Sequence, residues 1–233
     1  MLPFLKLFAM CGRYSLSLPA ATLAELLTLD LPEVEMEPRY NMAPSQRLPV
    51  VTDAEPNRLQ WMRWGLIPSW AKDPSIGHKL INARSETLAE KPAFRYSFSK
   101  QRCLVPADGF YEWKPGPLGK TPYHIHLQDR SLMTFAGLWE TWKDAEGREI
   151  MSFNIVTVEP NALMAPIHDR MPAIILPKDR KTWLDPATSQ TELMGLLKPY
   201  SLGDLQADAV GNRVNSPLNE GPELWNPPFP SLF

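Results

Sequence analysis

The chain has 233 residues, enough to bury a sizeable core, and its 44% apolar and 21% charged content is that of a soluble globular protein. Two cysteines, Cys11 and Cys103, exclude a disulfide framework and a cysteine-rich zinc module, so a reducing cytoplasm is the expected setting. A net charge of −2 excludes a generally basic nucleic-acid binder, and no apolar run approaches the roughly 18–20 residues of a membrane span.

The first nine residues, MLPFLKLFA, are apolar with one Lys6 and lack a charged start and a small-residue cleavage site. They are expected to be an upstream extension or start, with the domain beginning at Met10. Residues 19–29 (PAATLAELLTL) place Leu23, Leu26 and Leu27 on one helical face. Short β-branched or aromatic runs bounded by Pro, Gly or Asp predict strands at 47–51, 59–64, 80–83, 102–106 and 109–113. Further strands are expected at 123–127, 132–139, 150–158 and 173–176. Helical patterns recur at 85–90, 160–164, 179–183 and 190–197. Many short strands and few short helices, with 25 prolines spread along the chain, predict an α+β protein. Its expected form is one domain over residues 10–222, a mostly antiparallel, barrel-like sheet with peripheral helices. The proline-rich end, 223–233, is expected to be irregular.

Charge is unevenly distributed. Residues 39–120 hold 13 Lys/Arg against 7 Asp/Glu, interleaved with Trp61, Trp64, Trp70, Phe94, Tyr96 and Phe98. Such interleaving suits phosphates and stacked bases, or equally a solvated face over an aromatic core.

Four clusters could carry chemistry: Cys11-Gly12-Arg13; the run Ile81-Asn82-Ala83-Arg84-Ser85-Glu86; Asp108-Gly109-Phe110-Tyr111-Glu112-Trp113; and His168-Asp169-Arg170-Met171-Pro172. Glu112 lies between two aromatics, a setting that would raise its pKa for acid–base work, unless it is a strand glutamate facing water. His168 is either a proton shuttle or a structural histidine. Asn82 and Arg84 alternate at a strand end and so share a side, where they orient a polar ligand or cap the next helix. His124 and His126 also share a strand face, but no third ligand at metal spacing is near. Cys103 reads as a buried thiol.

Taken together and in order, these clusters resemble the SOS-response-associated peptidase family, abasic-site-processing proteins that crosslink to abasic sites in single-stranded DNA. The matching blocks are MCGRYS (10–15), RYNMAPS (39–45), WGLIPSW (64–70), INARSET (81–87) and CLVPADGFYEWK (103–114). IVT (155–157), IHDRMP (167–172) and AVGNRVNSP (209–217) complete the set. The resemblance implies that Cys11 becomes N-terminal and that its amine and thiol condense with the sugar aldehyde, as Schiff base and then thiazolidine. It implies that Asn82 orients the reacting groups, that Glu112 transfers protons, and that His168 assists ring opening and reversal. Arg13, Arg84 and Arg170 are then the expected phosphate contacts. Asn41, Pro44 and Trp70 are expected to wall the DNA path, with Thr157 a further contact and Trp64 either wall or core. It calls for no cofactor or metal, a monomer, and single-stranded DNA as partner.

Three other readings use the same residues. A conventional cysteine peptidase would take Cys11, His168 and Asn82 as its triad. An N-terminal-nucleophile hydrolase would use the Cys11 amine as base. A non-catalytic single-strand-binding module would need only the basic aromatic segment.

Overall fold

Strand pairing closes part of the chain into a ring. The computed structural model describes residues 11–30, 36–117 and 119–228; the expected extension 1–9 and the last residues, 229–233, lie outside these. Twelve strands are described: β1 Tyr14–Leu16, β2 Arg39–Met42, β3 Arg47–Thr52, β4 Gln60–Trp64, β5 Asn82–Arg84 and β6 Arg102–Ala107. The rest are β7 Gly109–Gly116, β8 Gly119–Leu127, β9 Met133–Lys143, β10 Glu149–Val158, β11 Met171–Pro172 and β12 Leu205–Ala209. Strands β10, β4, β3, β6 and β9 pair in that order and β9 returns to β10, a closed five-stranded barrel. Only β4 and the short β5 run parallel to β10, so the ring is mixed but mostly antiparallel, as expected. Closure removes the unpaired edges of these five strands.

A second sheet, in the order β12-β8-β7-β1-β2, lies against the barrel. Its inner face is joined to the barrel by aromatic contacts. Tyr14 of β1 meets Trp64 of β4 edge-on at 5.2 Å, and Phe110 of β7 meets Phe135 of β9 at 5.9 Å. Trp64 is fully buried, with its indole N–H donating to Ile81 O, which settles it as core. Gly137 sits where β6, β9 and β10 crowd together. A Cβ there would lie 2.7 Å from Cys103 Sγ and 2.8 Å from Asn154 O, so Cys103 is packed as a core group.

Among the described residues the four α-helices are short and peripheral: α1 Ala20–Leu27, α2 Arg95–Lys100, α3 Arg180–Leu184 and α4 Gln190–Leu196. Several expectations need correction. Leu26 of α1 is 46% exposed, because the buried side of the helix centres on Leu23 and Ala24. Residues 160–164 form turns rather than a helix, since Pro166 has no N–H with which to extend the ladder. The pattern at 85–90 shortens to a single 3-10 turn, Ser85–Thr87. The strand expected at 173–176 is instead β11, with only Ile174 bridging to Phe135. The C-terminal region is not irregular throughout: Pro222–Trp225 is a 3-10 turn with Leu224 buried. Trp225 stacks on His124 at 5.0 Å and its indole N–H donates to the Tyr111 hydroxyl.

Candidate active site

The site forms where the second sheet meets the barrel. Its first residue is brought in by the pairing of β1 with β7. Asp108 anchors one end of this pairing, accepting the Ser15 hydroxyl at 2.6 Å and the Ser17 hydroxyl at 2.6 Å. Ser15 lies opposite Gly109 and Tyr14 opposite Phe110, and the Tyr111 N–H then donates to Arg13 O at 2.9 Å. One step further, the Cys11 N–H donates to Glu112 Oε1 at 2.6 Å. Cys11 has φ = +33°, so the chain turns sharply as it leaves this contact.

Strand alternation decides the character of Glu112. Phe110 and Glu112 point to one side of β7, Tyr111 and Trp113 to the other. Phe110 is in the core, so Glu112 continues an apolar row and is 2% exposed. Burial, aided by the Asp169 carboxylate and opposed by the Cys11 and Trp113 N–H groups and the Lys120 ammonium, pushes its pKa up to about 8. The water-facing alternative is therefore excluded.

The other three groups arrive from separate elements. Asn82 opens β5, which pairs with β10, and its amide donates to Cys11 O at 3.5 Å. His168 ends the turn before β11, with Nε2 4.0 Å from Glu112 Oε2. Its Nδ1 accepts the Arg170 N–H at 3.1 Å, so the proton of the neutral ring lies on Nε2, toward Glu112. The exposed Asp169 carboxylate also lies 3.1 Å from Nδ1. Burial outweighs that carboxylate and lowers the imidazole pKa. The Cys11 thiol is pushed well above its ordinary value by burial and by Glu112. Thus Cys11, Asn82, Glu112 and His168, spread over 158 positions of sequence, meet at one place.

A cleft of about 570 Å³ opens beside His168, with Arg84, Trp113, Lys120, Ile167 and Asp169 among its walls. Arg84 is exposed there, and Trp70 projects elsewhere with 58% of its surface free. Pro44 is half-buried in the turn between β2 and β3. Arg13 is partly enclosed, donating to Asn41 Oδ1 at 2.7 Å and Val214 O at 2.8 Å.

Three expected DNA contacts are enclosed and take structural roles here. Asn41 is fully buried, its amide donating to Val214, Ser216 and Asn219 carbonyls, so it holds that loop under Arg13. Thr157 is fully buried, its hydroxyl facing Ala83 O. Arg170 is buried, with its guanidinium forked onto Glu86 at 2.7 and 2.9 Å and onto Thr157 O at 2.6 Å. Neutralised in this way, Arg170 fixes the peptide N–H that orients His168. Lys120 was missed as a site residue, because a lysine on a hairpin carries no local signal; Glu86 stood in a named cluster but its pairing with Arg170 could not be read from it. Neither His124 nor His126 faces the site. His124 Nε2 meets the Ser15 hydroxyl and His126 Nε2 meets Asp208. Among the described residues no group of three His, Cys, Asp or Glu is placed to hold a metal ion.

A buried acid set against the main-chain nitrogen of a cysteine, with an amide and an imidazole from the barrel rim, defines a site built around that nitrogen. The chain belongs to the SOS response associated peptidase (SRAP) family, whose pattern matches residues 10–217. It is 48% identical over 220 residues to the abasic site processing protein YoqW of Bacillus subtilis, covering 92% of this chain and 98% of that one. To the abasic site processing protein HMCES of Xenopus tropicalis it is 34% identical over 220 residues, covering 80% and 65%. A crystal structure of a protein from Bacteroides thetaiotaomicron superposes with a TM-score of 0.84 at 29% identity, covering 93% and 99%.

Proposed function

We propose that this protein processes abasic sites in single-stranded DNA by covalent capture through Cys11, once the residues before Cys11 have been removed. The observation that carries this reading is the 2.6 Å contact between Glu112 and the Cys11 nitrogen. Removal of residue 10 turns that amide nitrogen into an α-amine, whose pKa near 8 leaves an appreciable neutral fraction at physiological pH.

The steps balance with the groups present. Glu112 takes a proton from the ammonium, and the free amine attacks the aldehyde carbon of the ring-opened sugar to give a carbinolamine. The acid form of Glu112 protonates the departing hydroxyl, water leaves, and an iminium forms beside the resulting carboxylate. Cys11 Sγ then adds to the iminium carbon, its proton passes to that carboxylate, and a thiazolidine ring closes. His168 Nε2, 4.0 Å from Glu112, exchanges protons with it and serves ring opening and reversal. Asn82 holds the Cys11 carbonyl and so the rotation of the nucleophile.

A conventional cysteine peptidase fits less well. It needs a thiolate paired with histidine, whereas burial disfavours the Cys11 thiolate and His168 is directed at Glu112. A pure binding module gives no role to a buried carboxyl. The test is denaturing electrophoresis and intact mass of the Cys11-terminated protein after reaction with abasic single-stranded DNA. A heat-stable adduct at the summed masses less one water is expected; Cys11→Ala abolishes it and Cys103→Ala does not. Adduct formation by a chain that keeps Met10 would sink the thiazolidine chemistry, and rapid cleavage of unrelated peptides would favour the peptidase.

A further inference from the structure

Outside the site, two arginines stand opposite each other on paired strands, an arrangement suited to sharing an anion. Arg47 of β3 and Arg63 of β4 are direct cross-strand partners, and Pro49 pairs with Trp61 in the same ladder. Like charges placed directly opposite each other repel across a few ångströms. Among the described residues neither guanidinium is held by a carboxylate. Arg47 donates to Trp61 O at 3.0 Å, and Arg63 lies 3.5 Å from His78 Nε2. The other His78 nitrogen meets the Ser45 hydroxyl at 3.2 Å. Arg63 Nε is buried with no hydrogen-bond partner. Among the described residues, no carboxylate forms an ion pair with Arg47, Arg63 or His78.

This face is also equipped to hold more than an isolated anion. Trp61 lies two residues from Arg63, hence on the same side of β4, and is 39% exposed. Ser45 follows Pro44 in the turn between β2 and β3. Lys79, next in the chain to His78, lines a hollow with Lys72, the exposed Trp70 and one carboxylate, Asp73, which lies within electrostatic reach of His78. Cations and open indoles thus run from Trp70 to Arg47 in a protein whose net charge is −2.

We propose that Arg47, Arg63 and His78 form a backbone-phosphate subsite, with Trp61 as a base-stacking platform, for single-stranded DNA flanking the lesion. This assignment rests on the reading of the Cys11 site as a DNA-processing centre. Paired guanidinium forks match phosphate oxygens, and an adjacent indole accepts any base. Occupation by phosphate removes the Arg47–Arg63 repulsion, which gives the pairing its purpose.

The experiment measures binding of an undamaged single-stranded oligonucleotide by fluorescence anisotropy across a salt series. It compares the parent with a double Arg47→Gln, Arg63→Gln variant and a double Arg47→Lys, Arg63→Lys variant. The glutamine variant is expected to bind on the order of tenfold more weakly at low salt, with a log–log salt slope shallower by about 0.7, the value for one phosphate on a single strand. The lysine variant keeps most of the slope. Parent-like affinity and slope in the glutamine variant would overturn the subsite; loss of slope in the lysine variant would overturn its electrostatic basis. Adduct formation by the Cys11-terminated parent on abasic DNA is followed alongside. A parent that forms no adduct, alongside the predicted loss of slope, would refute the Cys11 chemistry and leave this surface standing.

Discussion

The most direct consequence of the site geometry is a stability effect of opposite sign to the usual one for a carboxylate. While the Cys11 nitrogen is an amide, Glu112 holds its proton up to about pH 8 in the folded protein. The unfolded chain releases it near 4.3. Between these values the unfolded state binds fewer protons, so stability falls as pH rises, by about 1.4 kcal/mol per pH unit. The full window is worth about 5 kcal/mol, and the interval from pH 5 to pH 7 about 3 kcal/mol. Glu112→Gln fills the same space with a group that never ionises, and should remove this component. Urea unfolding of both proteins at half-unit steps from pH 4 to pH 9 measures it: the stability difference between them should swing toward the variant with rising pH and level off above about pH 8. Parallel curves would refute the assignment of Glu112 as a buried, proton-retaining acid. In the Cys11-terminated protein the ammonium beside Oε1 stabilises the carboxylate, so the same swing should shrink; an unchanged swing there would place the amine elsewhere.

Other consequences follow from the same contacts. Glu112→Gln should slow adduct formation on the order of 10²–10⁴-fold in single-turnover assays while leaving DNA affinity near the parent value; a large affinity loss would make Glu112 a binding group. Arg170→Met leaves the buried Thr157 O without its donor while the half-exposed Glu86 carboxylate returns to water, and should lower stability by about 1–3 kcal/mol in urea melts. It should also shift the pH profile of adduct reversal, because the His168 support moves with it; an unshifted profile would reduce Arg170 to a purely structural pair. Gly109→Ala would drive a Cβ to 2.0 Å from His124 Nε2, on a ring packed between Tyr111 and Trp225. A loss of at least about 2 kcal/mol is expected on unfolding, and a neutral result would mean that this stack gives way easily. Adduct formation on single strands should outpace that on duplex DNA, since the sugar must leave the stack to reach Cys11; equal rates would contradict the proposed access.

Much of the molecule was legible in order along the chain. Short strands with turn residues between them announced a barrel-like sheet, and eight of the nine expected strands overlap observed ones, that at 173–176 being displaced to β11. The four chemical clusters also stood out in sequence, and those named for Cys11, Asn82, Glu112 and His168 do converge. Strands β1, β2 and β12 escaped notice because three to five residues such as YSL or LQADA carry too little alternation. Their existence depends on partners far away in the chain, and among the described residues β12 pairs with β8 alone.

What residue order determined was the local menu: which segments extend, which turn, and which side chains can exchange protons or attack a carbonyl. It also determined that neighbours on a strand face opposite ways. It left open which of those two faces is dry, because that depends on what packs against the sheet. The barrel put Glu112 on the inner row with Phe110, raising its pKa, and closed Asn41 and Thr157 away from solvent. Counter-charges are equally non-local. Arg170 looked like a free phosphate ligand until Glu86, 84 positions earlier, was found on its guanidinium, while Arg47 and Arg63 found no such partner among the described residues. A charge is free or spent according to what folding places within a few ångströms of it, and only the tertiary structure decides that.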